Sequence, residues 1–563
     1  MQNNFQSQNK IPIPQPKRFL AKEEFQEYLE LVKIIANFDP QTKRWYLNQR
    51  KLEITSKDVI KETIMKLKDY VGDEIFTILS NYIKDNNNVI YAEFKGNYIT
   101  IFDDLEKYKD LITYYVKTFD HISGQYQETP ILLAWQNARG FSTLRGLYWK
   151  LSNIVNFRIK PFTNLVFHNI ALKNFEMRDY QINSIKAWIS DINTVGAGII
   201  KAPTGSGKSV IAILASIQIL KNKSNSKIVY AVNSTTLLKQ FQNFAKREDL
   251  PFLLVSGELD ETKKGQKSDF IALSISYYYS QKRQNKHEKL KELVSNADLI
   301  ILDEAHHVPA SMAKSLLLDS PNSLRLGLTA TPIREDGRDM EIQGLLGRIS
   351  YSIDYQELVQ KHYLVPLEYI QFTPKISEKI RDKLKTIEQS YADQPFAKLY
   401  SATLRMFEQS PYTNQQIVSK IKELNRFPAL VIVRRIAIAR KLSELLNQEG
   451  IVSDWVSSKT SLEERMQKIE NLKNGKLKVL VSTSLADEGL DIPQLSLVVL
   501  MSQGKSRIKL IQRIGRVMRP YSGKSKGYVL DIAYGYDIFQ RQGQKRIKFV
   551  SSEYNGIITI KQE

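Results

Sequence analysis

Short apolar runs alternate with amphipathic helical segments from about residue 175 onward, and this alternation constrains the fold more than any other feature of the chain. A continuous apolar strand between helices is typical of a parallel sheet that helices cover on both faces. The sequence therefore predicts an α/β fold with two parallel-sheet lobes, the second beginning near Pro428. The runs lie at 196–200, 227–232, 270–273, 298–303 and 324–329 in the first series and at 429–433, 478–482, 497–501 and 527–531 in the second.

Changes in composition divide the chain further. The N-terminal end is rich in Gln, Asn and Pro and predicts a disordered tail. The next segment combines helical periodicity with a hairpin-like pattern at 89–102, which predicts a smaller and separate α+β domain. A charged helical stretch lies between the two series of strands. The predicted segments are a tail at 1–17, an N-terminal accessory domain at 18–170, the first lobe at 171–350, a linker or helical insertion at 351–427 and the second lobe at 428–550.

A glycine-rich segment follows the first apolar run and opens a helix. It reads Ala-Pro-Thr-Gly-Ser-Gly-Lys-Ser over residues 202–209. In this pattern the backbone amides surround phosphate groups, Lys208 reaches the β and γ phosphates, and the Ser209 hydroxyl ligates Mg²⁺. The helix dipole also favours an anion at this place. The segment predicts an ATP site formed by Ala202, Pro203, Thr204, Gly205, Ser206, Gly207, Lys208 and Ser209.

Two carboxylates end the apolar run at 298–303, where their burial is costly unless a cation or a catalytic role compensates it. Asp303 is predicted to hold Mg²⁺ together with Ser209. Glu304 is predicted to position or deprotonate the attacking water. For His306, two residues further on, a coupling role and an ordinary core or surface position both fit the sequence.

Composition excludes several classes of protein. The chain contains no cysteine, so disulfides, thiolate zinc sites and cysteine nucleophiles are excluded. It has neither an apolar run of about 18 residues nor the apolar core of a signal peptide, so we expect a soluble, cytoplasmic protein without a membrane partner. The formal net charge of +21 favours a polyanionic partner, because binding releases condensed counterions.

The ordered motifs resemble those of a superfamily 2 helicase of the DEAH type, named for the residues Asp303-Glu-Ala-His306. The resemblance covers about 175–535 and implies a P-loop NTPase with two RecA-like lobes that uses ATP and Mg²⁺. The triplet 334–336, Arg-Glu-Asp, lies just beyond Thr329-Ala-Thr-Pro332 and resembles the XPB/Ssl2 branch of DNA helicases.

In the first lobe, the resemblance implies roles for residues outside the phosphate loop. The segment Met177-Arg-Asp-Tyr-Gln181 resembles an adenine-recognition motif, in which Gln181 contacts the base edge and Arg178 belongs to the nucleotide site. Thr329 and Thr331 correspond to the motif that couples hydrolysis to strand binding.

In the second lobe, the resemblance covers two motifs. In 483–493, Gly489 and Asp491 face the nucleotide. In 512–520, guanidinium groups stabilise charge on the γ-phosphate and make hydrolysis depend on lobe closure. The residues implied there are Arg516 and Arg519 as fingers, with Gln512 and Arg513 organising the interface with His306.

The predicted function is an ATP-dependent helicase or translocase that holds nucleic acid mainly by its backbone, favours DNA over RNA and works as a monomer. Two alternatives stay open: an RNA helicase, and an ATP-switched nucleic-acid clamp that unwinds nothing. Tyr277, Tyr278 and Tyr279 fit either base stacking or a buried strand end. Basic residues suited to phosphate contacts are Lys505, Arg507, Lys509, Lys524, Lys526, Arg541, Lys545, Arg546 and Lys548.

Overall fold

The computed structural model describes residues 13–16, 20–39, 42–47, 57–72, 89–119, 126–264, 268–305, 310–330, 338–392, 394–483, 492–501 and 507–563. Most of the predicted tail at 1–17 lies outside these ranges. Among the described residues, no helix is both long enough and apolar enough to cross a bilayer.

The chain begins with a small helical module that has its own core. Buried apolar side chains of the two helices, such as Val32 and Leu67, pack together. This core is distinct from those of the rest of the protein. The module consists of α1 (Lys22–Ile35), β1 (Ala36–Asp39), β2 (Arg44–Leu47) and α2 (Lys57–Val71).

A five-stranded sheet follows, in the order β7-β8-β4-β3-β9, and β5 and β6 form a separate hairpin. Ile99 and Phe141 of this sheet belong to the same apolar cluster as Ile199 and Ile300 of the first lobe. The segment predicted as one separate domain at 18–170 is therefore two parts, and the second shares its core with the first lobe. Its elements are β3 (Val89–Lys95), β4 (Tyr98–Ile101), β5 (Thr113–Phe119), β6 (Tyr126–Leu132), β7 (Ala134–Asn137), β8 (Gly140–Leu144), α3 (Tyr148–Leu151) and β9 (Asn156–Arg158).

The first lobe is a parallel sheet of seven strands in the order β12-β13-β11-β14-β15-β10-β16. The predicted α/β architecture is confirmed. Its elements are α4 (Asp179–Val195), β10 (Ala197–Lys201), α5 (Lys208–Asn222), β11 (Ile228–Val232), α6 (Thr235–Arg247), β12 (Leu253–Val255), β13 (Phe270–Ser274), α7 (Ile275–Arg283), α8 (Glu288–Ser295), β14 (Leu299–Leu302), α9 (Ala310–Leu318), β15 (Leu324–Thr329), α10 (Asp339–Leu346) and β16 (Ile349–Ser352).

The second lobe is also a parallel seven-stranded sheet, in the order β19-β20-β18-β21-β22-β17-β23. Three helices lie between β17 and β18, within the range 351–427 that was predicted as a linker or helical insertion. The elements are α11 (Tyr355–Gln360), β17 (Leu367–Phe372), α12 (Glu378–Ser390), α13 (Phe396–Gln409), α14 (Pro411–Leu424), β18 (Ala429–Ile432), α15 (Ile436–Gln448), β19 (Ser453–Val456), α16 (Leu462–Lys473), β20 (Val479–Ser482), β21 (Leu497–Leu500), α17 (Arg507–Gly515), β22 (Gly527–Ile532), α18 (Asp537–Glu553) and β23 (Ile558–Gln562).

This sheet is wider than the predicted range 428–550, because β17 and β23 lie outside it. Polar residues interrupt the apolar pattern of β17, since Glu368 and Gln371 are buried within it. Strand β23 is the partly exposed edge of the sheet and also lacks a continuous apolar run. Neither strand therefore has the continuous apolar run that predicts the other strands of the sheet.

Two fully buried arginines join the N-terminal sheet to the first lobe. Arg145 donates to the carbonyl oxygens of Gly196 (3.2 Å) and Ser323 (2.5 Å), which directly precede β10 and β15. Arg325 on β15 donates to Leu345 O (2.7 Å) and to the side chain of Asn97. Burial lowers the pKa of both groups, that of Arg325 to about 9. The N-terminal sheet thus fixes the starts of the strands that lead to the phosphate loop and to Thr329.

We expect Arg145→Met to destabilise the first lobe by about 3 kcal/mol, because the change removes the donor to the buried Ser323 carbonyl and one of two donors to the Gly196 carbonyl. The midpoint of guanidinium unfolding, followed by the fluorescence of the buried Trp188, measures the effect. Arg139→Met removes an exposed arginine of the same sheet and is the control, expected within about 0.5 kcal/mol of wild type. Equal midpoints for the two variants would contradict the role given to Arg145.

Candidate active site

The glycine-rich segment forms a tight loop between β10 and α5. Gly205 and Gly207 have φ angles of +87° and +85°, a conformation that glycine adopts without steric cost. Lys208 is buried and is the first residue of α5, so the unpaired N–H groups and the dipole of the helix N-terminus face the loop. Such a loop is an anion site. The backbone N–H of Ala202 donates to Thr329 O (2.8 Å), which holds the end of β15 beside the loop.

Asp303 and Glu304 lie at the carboxyl end of β14 and face the same cavity as Lys208. Lys208 Nζ is 3.2 Å from Glu304 Oε1. The backbone N–H of Glu304 donates to Asp303 Oδ1 (2.8 Å), and Glu304 has a φ of +49°, a strained conformation that is frequent at functional sites. Burial, and next the charge of Glu304, raise the pKa of Asp303 to about 6, while Lys208 opposes the shift.

Tyr230 was not identified from the sequence. It lies on β11 and its hydroxyl donates to Asp303 Oδ2. Burial and the charge of Asp303 raise the pKa of Tyr230 well above 10, so it remains a proton donor. Its ring stacks on Phe241, with centroids 3.5 Å apart. A tyrosine inside an apolar strand is the only signal that the sequence contains for this role.

Helix α17 of the second lobe packs directly on the phosphate loop. A Cβ atom added at Gly515 would lie 2.6 Å from Thr204 Cβ, so the helix approaches this closely because residue 515 is glycine. A Cβ atom added at Gly205 would lie 3.1 Å from Arg519 Cγ. Arg519 therefore lies against the loop, and the two lobes are closed on each other.

The closed lobes surround one cavity of about 400 Å³. Both lobes contribute charged side chains to it, which brings together residues that lie far apart in the sequence. Arg516 is buried at its wall. The predicted residues that line it are Arg178, Thr204, Gly205, Gly207, Lys208, Ser209, Asp303, Glu304, Gln512, Arg516 and Arg519. The lining also includes residues outside the predicted nucleotide site, among them Tyr230, Leu237, Gln240, Phe241 and Phe244.

Gln181 is placed differently from the expectation. Its Oε1 accepts from the backbone N–H of Arg178 (3.0 Å), and its Nε2 donates to Ser206 O (3.3 Å). The hydroxyl of Tyr180 also donates to Ser206 O. These residues support the phosphate loop from beneath, whereas Arg178 lines the cavity and places its guanidinium 4.6 Å from the ring centroid of Tyr363. The base-contacting role of Gln181 stays a prediction.

Other predicted residues lie outside the cavity or outside the described ranges. Arg513 is buried on α17 and is not among the described residues that line the cavity. Tyr278 lies on α7 and not at a strand end; it is fully buried, and its hydroxyl donates to Asp319 Oδ2 (2.6 Å). His306, Thr331, Gly489, Asp491, Lys505 and the triplet 334–336 lie outside the described residues.

The residues of the cavity fit a nucleoside triphosphate with a divalent cation. In the phosphate loop beside the cavity, Ser206 Oγ is buried and has no hydrogen-bond partner among the described residues. Lys208, Arg516 and Arg519 supply positive charge for phosphates. Ser209 and Asp303 are the oxygen ligands that Mg²⁺ prefers.

Two family models match the chain in the two lobes. "Type III restriction enzyme, res subunit" matches residues 174–334, and "Helicase conserved C-terminal domain" matches residues 413–521. "Putative helicase 22" of Sulfolobus islandicus filamentous virus (isolate Iceland/Hveragerdi) is 66% identical over 555 residues, which is 99% of each chain. The protein belongs to this helicase family.

More distant relatives place this helicase among known groups. "DNA 3'-5' translocase XPB2" of Sulfurisphaera tokodaii is 26% identical over 371 residues, 61% of this chain and 79% of that one. The helicase is thus a superfamily 2 member with similarity to the XPB/Ssl2 branch. Its helicase domains imply ATP use and nucleic-acid binding. A solved structure described as "ATP-dependent Type ISP restriction-modification enzyme LlaBIII bound to DNA" has a TM-score of 0.49 at 16% identity and covers 70% of this chain and 31% of that one.

We expect Gly515→Ala to lower ATP turnover by about tenfold, or about 1.4 kcal/mol of activation free energy. The added methyl group meets Thr204 and separates α17 from the phosphate loop, whereas each lobe keeps its own sheet. Steady-state phosphate release at saturating ATP measures the effect, and the thermal midpoint serves as the control for folding. Wild-type turnover in this variant would show that the contact is not needed for hydrolysis.

Proposed function

We propose that this helicase hydrolyses ATP in the cavity between its lobes and uses the cycle of closing and opening to move along DNA. The contact of α17 with the phosphate loop carries this proposal. Because Arg516 and Arg519 come from the second lobe, the site is complete only while the lobes are closed. The partner that promotes closure thereby controls hydrolysis.

The side chains of the first lobe have distinct roles in this proposal. Lys208 binds the β and γ phosphates, and Ser209 and Asp303 hold Mg²⁺, which neutralises phosphate charge when it is bound. Lys208 contacts Glu304 at 3.2 Å. An incoming phosphate competes for the Lys208 ammonium and releases Glu304 to orient the attacking water. Arg516 and Arg519 stabilise the charge that develops in the transition state.

Thr329 is suited to couple hydrolysis to nucleic-acid binding. Strand β15 lies between β14, which carries Asp303, and β10, which leads to the phosphate loop. The Thr329 carbonyl accepts from Ala202. A shift of the chain that follows Thr329 therefore reaches both halves of the ATP site. Thr331, His306 and Arg513 complete this coupling in our proposal, and Gly489 and Asp491 are assigned to nucleotide binding.

DNA is the favoured substrate because the XPB2 relative is named a DNA translocase, and the 3'-5' polarity in that name supports movement in this direction. The DEAH-type assignment rests on Asp303-Glu-Ala-His306 alone. We further propose that the protein works as a monomer in a cytoplasmic environment.

A basic groove in the helical insertion is a candidate contact for the nucleic-acid strand. It has a volume of about 880 Å³ and lies among α12, α13 and the start of α14. Four cations line it, and none of its described lining residues is acidic. Aromatic rings beside cations suit a single strand, since rings stack on bases while cations hold phosphates. The lining cations and tyrosines are Lys379, Lys383, Lys398, Arg405, Tyr391 and Tyr412.

Strand displacement tests the proposed function. We expect the wild-type protein to separate a DNA duplex with a 3' overhang when ATP and Mg²⁺ are supplied, and to be less active on a 5' overhang or on RNA of equal length. Preference for RNA would favour the RNA helicase, and ATP-dependent binding without displacement or movement would favour the clamp.

Glu304→Gln should lower ATP turnover by about 10²–10⁴-fold, because the amide cannot accept a proton from water. ATP binding, measured with a fluorescent analogue, should stay within threefold of wild type. Strand displacement should be lost together with hydrolysis. Turnover near the wild-type rate would remove Glu304 from the mechanism.

If the basic groove binds the strand, its cations should contribute to the salt dependence of single-strand binding. We expect changing Lys379, Lys383 and Arg405 together to Gln to weaken single-strand binding and to reduce the slope of log Kd against log salt concentration by about 2, since each phosphate contact contributes about 0.7. Fluorescence anisotropy between 50 and 300 mM salt, on the order of cellular ionic strength, measures the slope. The control changes the exposed Lys43, Lys66 and Lys68 to Gln. Equal slopes for the two triple variants would exclude the groove from the binding path.

A further inference from the structure

Lys524 joins two segments of the second lobe that border the nucleotide cavity. Its Nζ donates to the carbonyl oxygens of Pro493 (3.2 Å) and Leu495 (2.6 Å). Pro493 itself lines the cavity and comes directly after the segment that contains Gly489 and Asp491. Lys524 lies in the turn that follows α17, five residues beyond Arg519.

The turn presents the Lys524 side chain in a defined way. The backbone N–H of Lys524 donates to Tyr521 O (2.9 Å), and Gly523 supplies the positive φ of +76° that the turn needs. Arg519 and Pro520, which begin this stretch, both line the cavity. The Lys524 amine thus connects one wall of the cavity, at Pro493, to another wall, at Arg519 and Pro520.

The environment of Lys524 differs from that of an ordinary surface lysine. Burial, together with the like charge of the nearby Arg519, lowers the pKa of Lys524 to about 7. The two carbonyl acceptors replace the water that burial removes, so the side chain is held in place. By contrast, the neighbouring Lys526 pairs with Glu368 Oε2 (3.5 Å) and keeps much of its exposure.

We propose that Lys524 is a positioning residue for ATP hydrolysis, which holds the loop at 492–496 and the finger residue Arg519 as one unit of the second lobe. Lys524 does not touch the nucleotide in this proposal. It acts through the Pro493 and Leu495 carbonyls and through the short chain segment that connects it to Arg519. Closure of the lobes then brings both walls of the cavity to the nucleotide together. The inference rests on the proposed ATP-driven function.

The two hydrogen bonds of Lys524 restrict which side chains can replace it. The side chain must be long and must carry at least two N–H donors, because two carbonyl oxygens accept from it. Arginine meets this demand and methionine does not, although methionine has a similar length. The loss on changing Lys524 to Met should therefore fall on kcat, since the phosphate loop that binds ATP belongs to the other lobe.

The test compares Lys524→Met, Lys524→Arg and Lys561→Met in the full-length protein, with ATP turnover measured at saturating single-stranded DNA. We expect Lys524→Met to lower kcat by about tenfold and to leave the KM for ATP within twofold of wild type. Lys524→Arg should restore kcat to within threefold of wild type. Lys561→Met, which removes a lysine of the same lobe that pairs with Glu368 Oε1 (2.6 Å) outside the cavity, should equal wild type.

Each outcome decides a different point. A kcat within twofold of wild type for Lys524→Met, or an equal loss in Lys524→Arg and Lys524→Met, would overturn the positioning role. A raised KM with unchanged kcat would also overturn it, because the residue would then act in ATP binding. If Lys524→Met lowers the thermal midpoint, Lys524→Gln, which keeps a donor group, replaces it in the same comparison. Absence of ATP turnover in the wild-type protein would instead refute the proposed function itself.

Discussion

The close packing of α17 on the phosphate loop is the contact on which the site depends. Because Gly515 has no side chain, Thr204 of the first lobe can approach α17. Because Gly205 has no side chain, Arg519 of the second lobe can approach the phosphate loop. Positively charged side chains of both lobes then line the cavity between them, with Lys208 from the first lobe and Arg516 from the second. Neither lobe alone surrounds a triphosphate. A chemical step that needs both lobes is thereby tied to their relative motion, which is the physical requirement for converting hydrolysis into movement.

The N-terminal sheet stabilises the first lobe at the end of its strands that lies away from the phosphate loop. It shares an apolar cluster with that lobe, and the fully buried Arg145 bonds to the backbone just before β10 and β15. Those two strands end at the phosphate loop and at Thr329. Arg145 thus holds the starts of both strands, at the ends that lie away from the phosphate loop. Among the described residues, the small module of α1 and α2 has a core separate from this cluster.

Motif spacing predicted the parts of the site that depend on local backbone chemistry. The phosphate loop needs glycines at 205 and 207, and the positive φ angles of both agree with this. Gln181 shows where the local pattern stops being informative, because its amide is bonded to the backbone of Arg178 and Ser206. Strand β17 was missed because its buried Glu368 and Gln371 break the apolar run. Burial of a polar residue depends on partners that are distant in sequence, so periodicity cannot reveal it.

The sequence by itself determined two parallel-sheet lobes, a phosphate loop and a carboxylate pair at the end of a strand, because these features follow from short-range patterns. Only the tertiary structure decided that Tyr230 bonds Asp303, that Lys524 bridges to Pro493 and that the N-terminal sheet belongs to the first lobe. Each of these joins residues whose types are common and whose separation in sequence carries no signal. Their physical meaning comes from burial, which removes water and makes a hydrogen bond between distant residues necessary.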